Sequence, residues 1–430
     1  MNQTKKAAIH TLGCKVNQYE SEAMAELLRQ EGYEIVPFEA WADCYLINTC
    51  TVTSLSDRKS RQMIRRAKRI NPNALVVVTG CYAQTAPEEI QKIPEVDLIL
   101  GTSRRGELPS LLRRAAEERV CAVADIMEQK DFEPLHISSC GDDRYRAFLK
   151  IQDGCDRYCS YCIIPYARGH IRSRPVEDVL DEVKRLVDAG VLEFVLSGIH
   201  TASYGRDLKQ VDLLQLIQQI HRIDGVRRIR ISSLESNCIQ PAFVEGLAQL
   251  PKLCPQFHLS LQSGCDETLR RMNRHYTADE YADCVALLRQ FFPNAAITTD
   301  VMVGFAGETE EEFQKSLAFV EKIRFSQLHV FPYSIRKGTR AATFPDQVPP
   351  QIKEERAARM IALGDRLAKR YLASQAGKTA AVLVEREREP GVYEGYTPEY
   401  VKVQIPSDEN ICGRIVNVAL PEPNHICGQR

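Results

Sequence analysis

Between Ala147 and Ser334 the chain alternates short apolar runs with amphipathic stretches, and this alternation limits what it can fold into. AFLKI, FVLSG, RIRISS, FHLSLQSG, AITTDVMVGF and QLHVFPYS read as six strands, and each but the last is followed by a helical pattern. Strand–helix–strand connections within one sheet are right-handed, so a run of them curves the sheet into a barrel or part of one. Chemistry in such barrels sits at the carboxyl ends of the strands. Just past the first strand, in KIQDGCDRYCSYC, stand Cys155, Cys159 and Cys162.

That Cys-x3-Cys-x2-Cys spacing suits an iron–sulfur cluster. Three thiolates hold three irons of a four-iron cluster and leave the fourth open to a small molecule, to which it can pass an electron. Structural zinc usually takes four ligands, often as Cys-x2-Cys pairs, and that pattern is absent here. Asp153, Gly154, Arg157 and Tyr158 mark the segment as a loop, which also weighs against three packed core cysteines.

A second α/β pattern precedes it, over residues 5 to 120. KAAIHTLG, CYLINT, ALVVVTG and VDLIL read as strands and NQYESEAMAELLRQEG, DRKSRQMIRRAKRI and PEEIQKI as helices. Cys14, Cys50 and Cys81 each fall just past the carboxyl end of a strand. In a parallel sheet those ends share one edge, where ligands bind in open α/β folds. A free cysteine is more often a small buried hydrophobe. Three of three at equivalent positions favour a second metal site.

The chain has 15 cysteines in 430 residues, a high and odd number. No run of about 18 apolar residues predicts a membrane span, and MNQTKKAAIHTLGCK lacks the apolar core of a signal peptide. The expected location is cytoplasmic, where thiols stay reduced and serve metals or catalysis more often than disulfides. The net charge of −1 leaves any nucleic-acid contact to local patches. SSCGDDR reads as a linker, and TAAVLVERE, YVKVQIP and RIVNVAL as short strands of a small β-barrel.

The spacing of Cys155, Cys159 and Cys162, with Tyr161 before the last, resembles that of the radical S-adenosylmethionine enzymes. In that superfamily the open iron binds the amino and carboxylate groups of S-adenosylmethionine, and an electron cleaves the sulfonium to a 5′-deoxyadenosyl radical. HTLGCKVNQYESEAM, VVVTGCYAQ, CIIPYARG, LSGIHTASYG, LQSG, DVMVGFAGET and HVFPYS together resemble the methylthiotransferases. TLGCKVNQYES, INTCTVT and DRKSRQMIRRAKR are similar to the group acting on N6-threonylcarbamoyladenosine beside the tRNA anticodon. Isopentenyladenosine-directed relatives usually carry Gln-Met where Lys15 and Val16 stand, and relatives acting on a ribosomal protein carry Pro-Lys.

The resemblance implies an α/β chain in parts. Residues 1–122 would form an open α/β sandwich whose Cys14, Cys50 and Cys81 hold an auxiliary [4Fe-4S] cluster. Residues 123–144 would link it to a partial (β/α)6 radical core over 145–375, where Cys155, Cys159 and Cys162 hold the second [4Fe-4S] cluster. Residues 376–430 would form a TRAM-like, RNA-binding β-barrel. The implied reaction replaces hydrogen on carbon 2 of the adenine by sulfur and a methyl group. An unactivated aromatic C–H offers a side-chain base no acidic proton, so cofactor chemistry is required. The implied partners are tRNA bearing threonylcarbamoyladenosine and an electron donor such as flavodoxin or ferredoxin.

Tyr161, Gly198, Gln262 and Gly304 are the candidate S-adenosylmethionine contacts; the last three fall at strand ends, where turn formation is the plainer reading. Glu308 reads as a cap for the next helix, and Ala306 stands where the family usually has Pro. Arg58 to Arg69 holds seven basic residues and no acidic one, with Arg58, Arg61, Arg65 and Arg69 on one helical face as candidate phosphate contacts. Arg168, Arg172 and Arg174 form a second basic group. From Gly377 on, six Lys or Arg meet eight Asp or Glu, leaving Lys402 and Arg414 as a small basic patch. Cys44, Cys121, Cys140, Cys238, Cys254, Cys265, Cys284, Cys412 and Cys427 match no ligand pattern, and no histidine pair has metal spacing. Competing readings are a methylthiotransferase for isopentenyladenosine or a protein, and a metal-stabilised RNA-binding protein without catalysis.

Overall fold

The computed structural model describes residues 4–138 and 145–420. Most of SSCGDDR, with Cys140, and the C-terminal Cys427 lie outside the described residues.

The N-terminal part is a six-stranded parallel sheet in the order Glu34–Val36, Lys6–Thr11, Cys44–Thr49, Leu75–Gly80, Leu98–Leu100, Val120–Ala122. All six residues of Cys44–Thr49 are buried, as a central parallel strand covered on both faces requires. Alternate side chains feed two cores. Tyr45 and Ile47 pack with Ile64 and Ala67 of the helix Ser54–Ile70. Cys44 and Leu46 pack with Met24 and Leu28 of the helix Lys15–Gln30. The expected α/β sandwich is present, with two short edge strands, Glu34–Val36 and Val120–Ala122, that three-residue runs were too brief to announce.

The central part holds the six expected parallel strands. RIRISS is split. Arg228–Ile231 pairs with Glu193–Ser197, itself paired with Arg146–Lys150. Ser233–Leu234 pairs instead with Gln256–Leu259, which continues to Ala296–Val303 and Gln327–Pro332. The break at Ser232 bends the wall into a partial barrel. Its apolar core gathers Leu149, Phe194, Leu196, Ile229, Phe257 and Val301 with the apolar faces of the surrounding helices.

The 26-residue helix Pro350–Gln375 packs along the edge strand Gln327–Pro332 and leads to a four-stranded antiparallel sheet. Its order is Lys402–Pro406, Val392–Tyr396, Thr379–Glu389, Ile415–Ala419. Val392–Tyr396 escaped the sequence reading because Glu394 and Gly395 break its apolar run, yet Tyr393, Glu394 and Gly395 are all buried. The sheet docks on the barrel through arginines. Arg228 donates to the carbonyls of Tyr396 (2.9 Å) and Ala381 (2.5 Å). Arg230 donates to those of Pro398 (2.7 Å) and Thr397 (3.1 Å). Among the described residues no helix is long and apolar enough to cross a membrane.

Candidate cluster and substrate site

Strand register brings the first three cysteines together. Thr49 is the register partner of Gly80, so Cys50 and Cys81 leave neighbouring strands side by side, about 4.8 Å apart in the sheet direction. Thr11 is the partner of Asn48, and Leu12 N–H donates to Asn48 O at 2.9 Å, so the turn to Cys14 arrives at the same edge. Gly13 makes the approach possible. Its φ is +103°, and a Cβ there would stand 2.8 Å from Cys50 Cβ and 3.0 Å from its Sγ. Cys14 stands at the N-cap position of the helix Lys15–Gln30, with no side-chain capping hydrogen bond.

Asn17 and Arg168, which the sequence reading did not connect to these cysteines, knit them together. The Asn17 amide donates to the carbonyls of Leu12 (2.7 Å) and Thr49 (3.0 Å), and its Oδ1 accepts from Arg168 Nη2 at 2.6 Å. Arg168 Nε stands 3.3 Å from Cys81 Sγ. Burial pushes the Cys81 thiol up to about 12 despite that guanidinium.

The second trio sits in a loop pinned by its neighbours. Cys155 N–H donates to Gly169 O at 3.0 Å and Cys162 N–H to Cys159 O at 2.9 Å. Ser160 N–H bonds Met272 O at 3.0 Å, and Ala341 N–H bonds Ser160 O at 2.7 Å. Burial raises Cys155 to about 11 and Cys162 to about 12. Arg274 places positive charge beside the third thiol, with Nη1 at 3.4 Å from Cys159 Sγ. Glu235 gathers Arg274 (3.1 Å), Arg157 (2.8 Å) and His200 (3.0 Å) around this loop.

A buried ionic cluster joins the two trios. Glu20 of the N-terminal part meets Arg105 (2.5 Å), Lys150 (2.7 Å) and Arg168, and Lys150 also meets Asp153 (2.5 Å), two residues before Cys155. Burial would raise Glu20, but Arg105, Arg168 and Lys150 outweigh it and bring it down to about 2. Arg174 pairs with buried Glu182. Arg168, Arg172 and Arg174, which the sequence presents as a second basic group, are thus buried and internally engaged and offer no surface to phosphate. A run of basic residues reads as solvated only when its acidic partners are out of sight.

The other candidates separate. Tyr161 packs against Phe305 beside the cluster loop. Gly198 follows its strand and lines a cavity. Gln262 has φ +68°, rare for a residue with a side chain, and bridges Asp300 and Met302 by its backbone; strain of that kind gathers at functional sites. Gly304 N–H donates to Glu308 Oε2 at 2.6 Å, and Glu308 pairs with Arg356 at 2.9 Å. Glu308 is therefore no helix cap: Thr309 and Glu312 form the capping box of the following helix. Arg58, Arg65 and Arg69 are exposed, whereas Arg61 donates to Tyr82 Oη at 2.9 Å. The patch proposed on the small sheet is internally matched, Lys402 to Glu394 (3.0 Å) and Arg414 to Glu409 (3.6 Å).

A cavity of about 1000 Å³ occupies the barrel interior, at the top of the range for small-molecule sites. Cys14, Lys15, Gly198, Asp300, Arg230 and Tyr400 are among its lining residues. Cys159 lines a separate small crevice with Arg157, Glu235 and Arg274. Solvent reaches Lys15 through the cavity, but protein surrounds it. Burial, with the charges of Arg146 and Arg230, lowers it to about 8.

Among the described residues no three His, Cys, Asp or Glu side chains converge tightly enough for one metal ion. A four-iron cluster places each thiolate on a different iron, so its ligands stand further apart than those of a single zinc. All six cysteines are free thiols at loop or helix-start positions, a donor set that suits such clusters.

Fold and cysteine arrangement together define a radical S-adenosylmethionine type of protein, and comparison with known families agrees. Residues 149–320 match the Radical SAM superfamily and residues 6–101 match the family described as uncharacterized protein family UPF0004. The threonylcarbamoyladenosine tRNA methylthiotransferase MtaB of Bacillus subtilis (strain 168) is 46% identical over 420 residues, 96% of this chain and 93% of that protein. The tRNA-2-methylthio-N(6)-dimethylallyladenosine synthase of Moorella thermoacetica is 37% identical over 97% of this chain and 96% of that protein. Among solved structures, the radical S-adenosylmethionine methyltransferase TsrM from Kitasatospora setae shares the fold, with a TM-score of 0.57, 16% identity and coverage of 79% of this chain and 77% of that one. The chain belongs to the radical SAM methylthiotransferase family of the MtaB type.

Proposed function

We propose that the protein is the transferase that converts N6-threonylcarbamoyladenosine beside the tRNA anticodon to its 2-methylthio derivative. The observation that carries this reading is the 46% identity to the Bacillus subtilis methylthiotransferase over nearly the whole of both chains. The register-aligned Cys14, Cys50 and Cys81 and the loop trio Cys155, Cys159 and Cys162 support it as holders of two [4Fe-4S] clusters. When bound, the clusters and S-adenosylmethionine supply the radical, sulfur and methyl chemistry. The chain's own residues hold and orient. Tyr161, Gly198, Gln262 and Gly304 are the proposed S-adenosylmethionine contacts. The barrel wall shields the reacting carbon from water. In this reading residues 1–122, 145–375 and 376–430 act as three domains, the protein works in the cytoplasm, and flavodoxin or ferredoxin supplies electrons.

Mass spectrometry of tRNA nucleosides from a deletion strain tests the substrate. Loss of 2-methylthio-threonylcarbamoyladenosine alone is expected. An unchanged level, or loss of the dimethylallyl counterpart instead, would show the substrate to be misassigned.

The exposed face of Ser54–Ile70 is the proposed RNA contact. Replacing Arg58, Arg65 and Arg69 by Ala is expected to weaken tRNA binding for modified and unmodified tRNA alike. The slope of log affinity against log salt should flatten by about 3, one for each phosphate that the variant no longer neutralises. An unaltered slope would remove this helix from the interface.

A further inference from the structure

Among the described residues, the barrel cavity is lined by a cation that no protein group hydrogen-bonds or ion-pairs. Lys15 lines it beside Phe148, its Nζ 6.0 Å from the centre of that ring. Among the described residues it makes no hydrogen bond or ion pair. Of the other charged groups in the lining, Arg230, Lys402 and Asp300 are engaged, whereas Asp365, Lys369 and Glu399 make no hydrogen bond or ion pair among the described residues. Arg230 pairs with Glu193 at 2.9 Å and Lys402 with Glu394 at 3.0 Å. Asp300 pairs with His258 at 3.3 Å. The charges near Lys15 are two further cations, Arg146 and Arg230, against one carboxylate, Glu193, which is itself taken up by Arg230. A solvent-reached ammonium on a cavity wall, with no carboxylate bonded to it, is a ready attachment point for an incoming anion.

We infer that Lys15 is a specificity-determining residue whose ammonium receives the carboxylate of the substrate's threonylcarbamoyl arm. This rests on the substrate reading above and deepens it. The arm grows from N6 of the adenine, separated from carbon 2 only by C6 and N1 of the ring. Its carboxylate is the one anionic group of the modified base. Lys15 directly follows Cys14, a proposed ligand of the sulfur-delivering centre, and opens the rigid helix Lys15–Gln30. Carbon and carboxylate are therefore presented to adjacent residues of one helix start. A hydrocarbon arm would leave this ammonium unpaired, so the same contact that retains one substrate rejects the other.

The test compares binding of two otherwise identical tRNAs to the anaerobic, cluster-loaded protein, one bearing threonylcarbamoyladenosine and one bearing plain adenosine. The wild type is expected to prefer the modified tRNA. Lys15→Gln should weaken binding of the modified tRNA by about 10- to 100-fold, the range for a hydrogen bond to a charged group, and leave the plain tRNA unaffected. Lys15→Arg should restore part of the preference. Iron content and cluster absorption are compared first, and Lys15→Met replaces Lys15→Gln if the latter does not load. If the charge-free variant keeps the full wild-type preference, the assignment of Lys15 is wrong while the substrate reading stands. If the wild type itself shows no preference, the substrate reading falls and takes this inference with it.

Discussion

Cys50→Ala is expected to leave reductive cleavage of S-adenosylmethionine at the wild-type rate and to abolish methylthiolation, whereas Cys159→Ala abolishes both. The basis is spatial separation. Cys50 ends a strand of the N-terminal sheet, while Cys159 lies in the loop that follows the first barrel strand. Cys50 is the sharper choice within its trio. Cys81 is bonded by Arg168, which reaches Glu20 and Asp153, so its removal would disturb the second loop as well. Single-turnover assays on anaerobically reconstituted variants, with iron measured on each, read both steps. A Cys50→Ala protein with half the wild-type iron that no longer cleaves S-adenosylmethionine would refute the division of labour.

Glu20→Gln is expected to destabilise the fold by about 3 to 5 kcal/mol, the cost of leaving buried charge without its counter-ion. Glu20 is wholly buried and is met by Arg105, Lys150 and Arg168, themselves buried. The neutral amide keeps the shape and removes the charge, so the loss reports electrostatics and not volume. A shift in urea midpoint equivalent to less than about 1 kcal/mol would show that the remaining carboxylates, Asp153 and Glu133, suffice. The same residue sets an acid limit. Its carboxyl is held at about 2, below the ordinary value of 4.5. The stabilisation it provides is therefore complete above about pH 4.5 and fades as pH falls toward 2. Glu20→Gln should flatten the stability profile across that window.

The placement of Cys14, Cys50 and Cys81 at one sheet edge was legible because its signal is local. Each of the three follows an apolar run, and parallel topology carries strand ends to one edge whatever lies between. Strand existence in the barrel was legible for the same reason. What joins the parts was not. Arg168 and Arg174 look like surface charge in GHIRSR and its neighbours, since Glu20 lies 148 residues from Arg168 and nothing local names it as a partner. Glu308 looked like a helix cap, but Arg356 and the Gly304 amide claim it. Lys15 stood out as one letter of a motif, and only the folded chain places its ammonium on the cavity wall with no carboxylate bonded to it among the described residues.

The seat of the small C-terminal sheet has a consequence for how such chains diversify. Arg228 and Arg230 grip main-chain oxygens of Ala381, Tyr396, Thr397 and Pro398, atoms that every residue type possesses. Mutations on the outward surface of that appendage can therefore accumulate without loosening its anchorage. Evolution is free to recompose the outside of this appendage while the body beneath stays as it is.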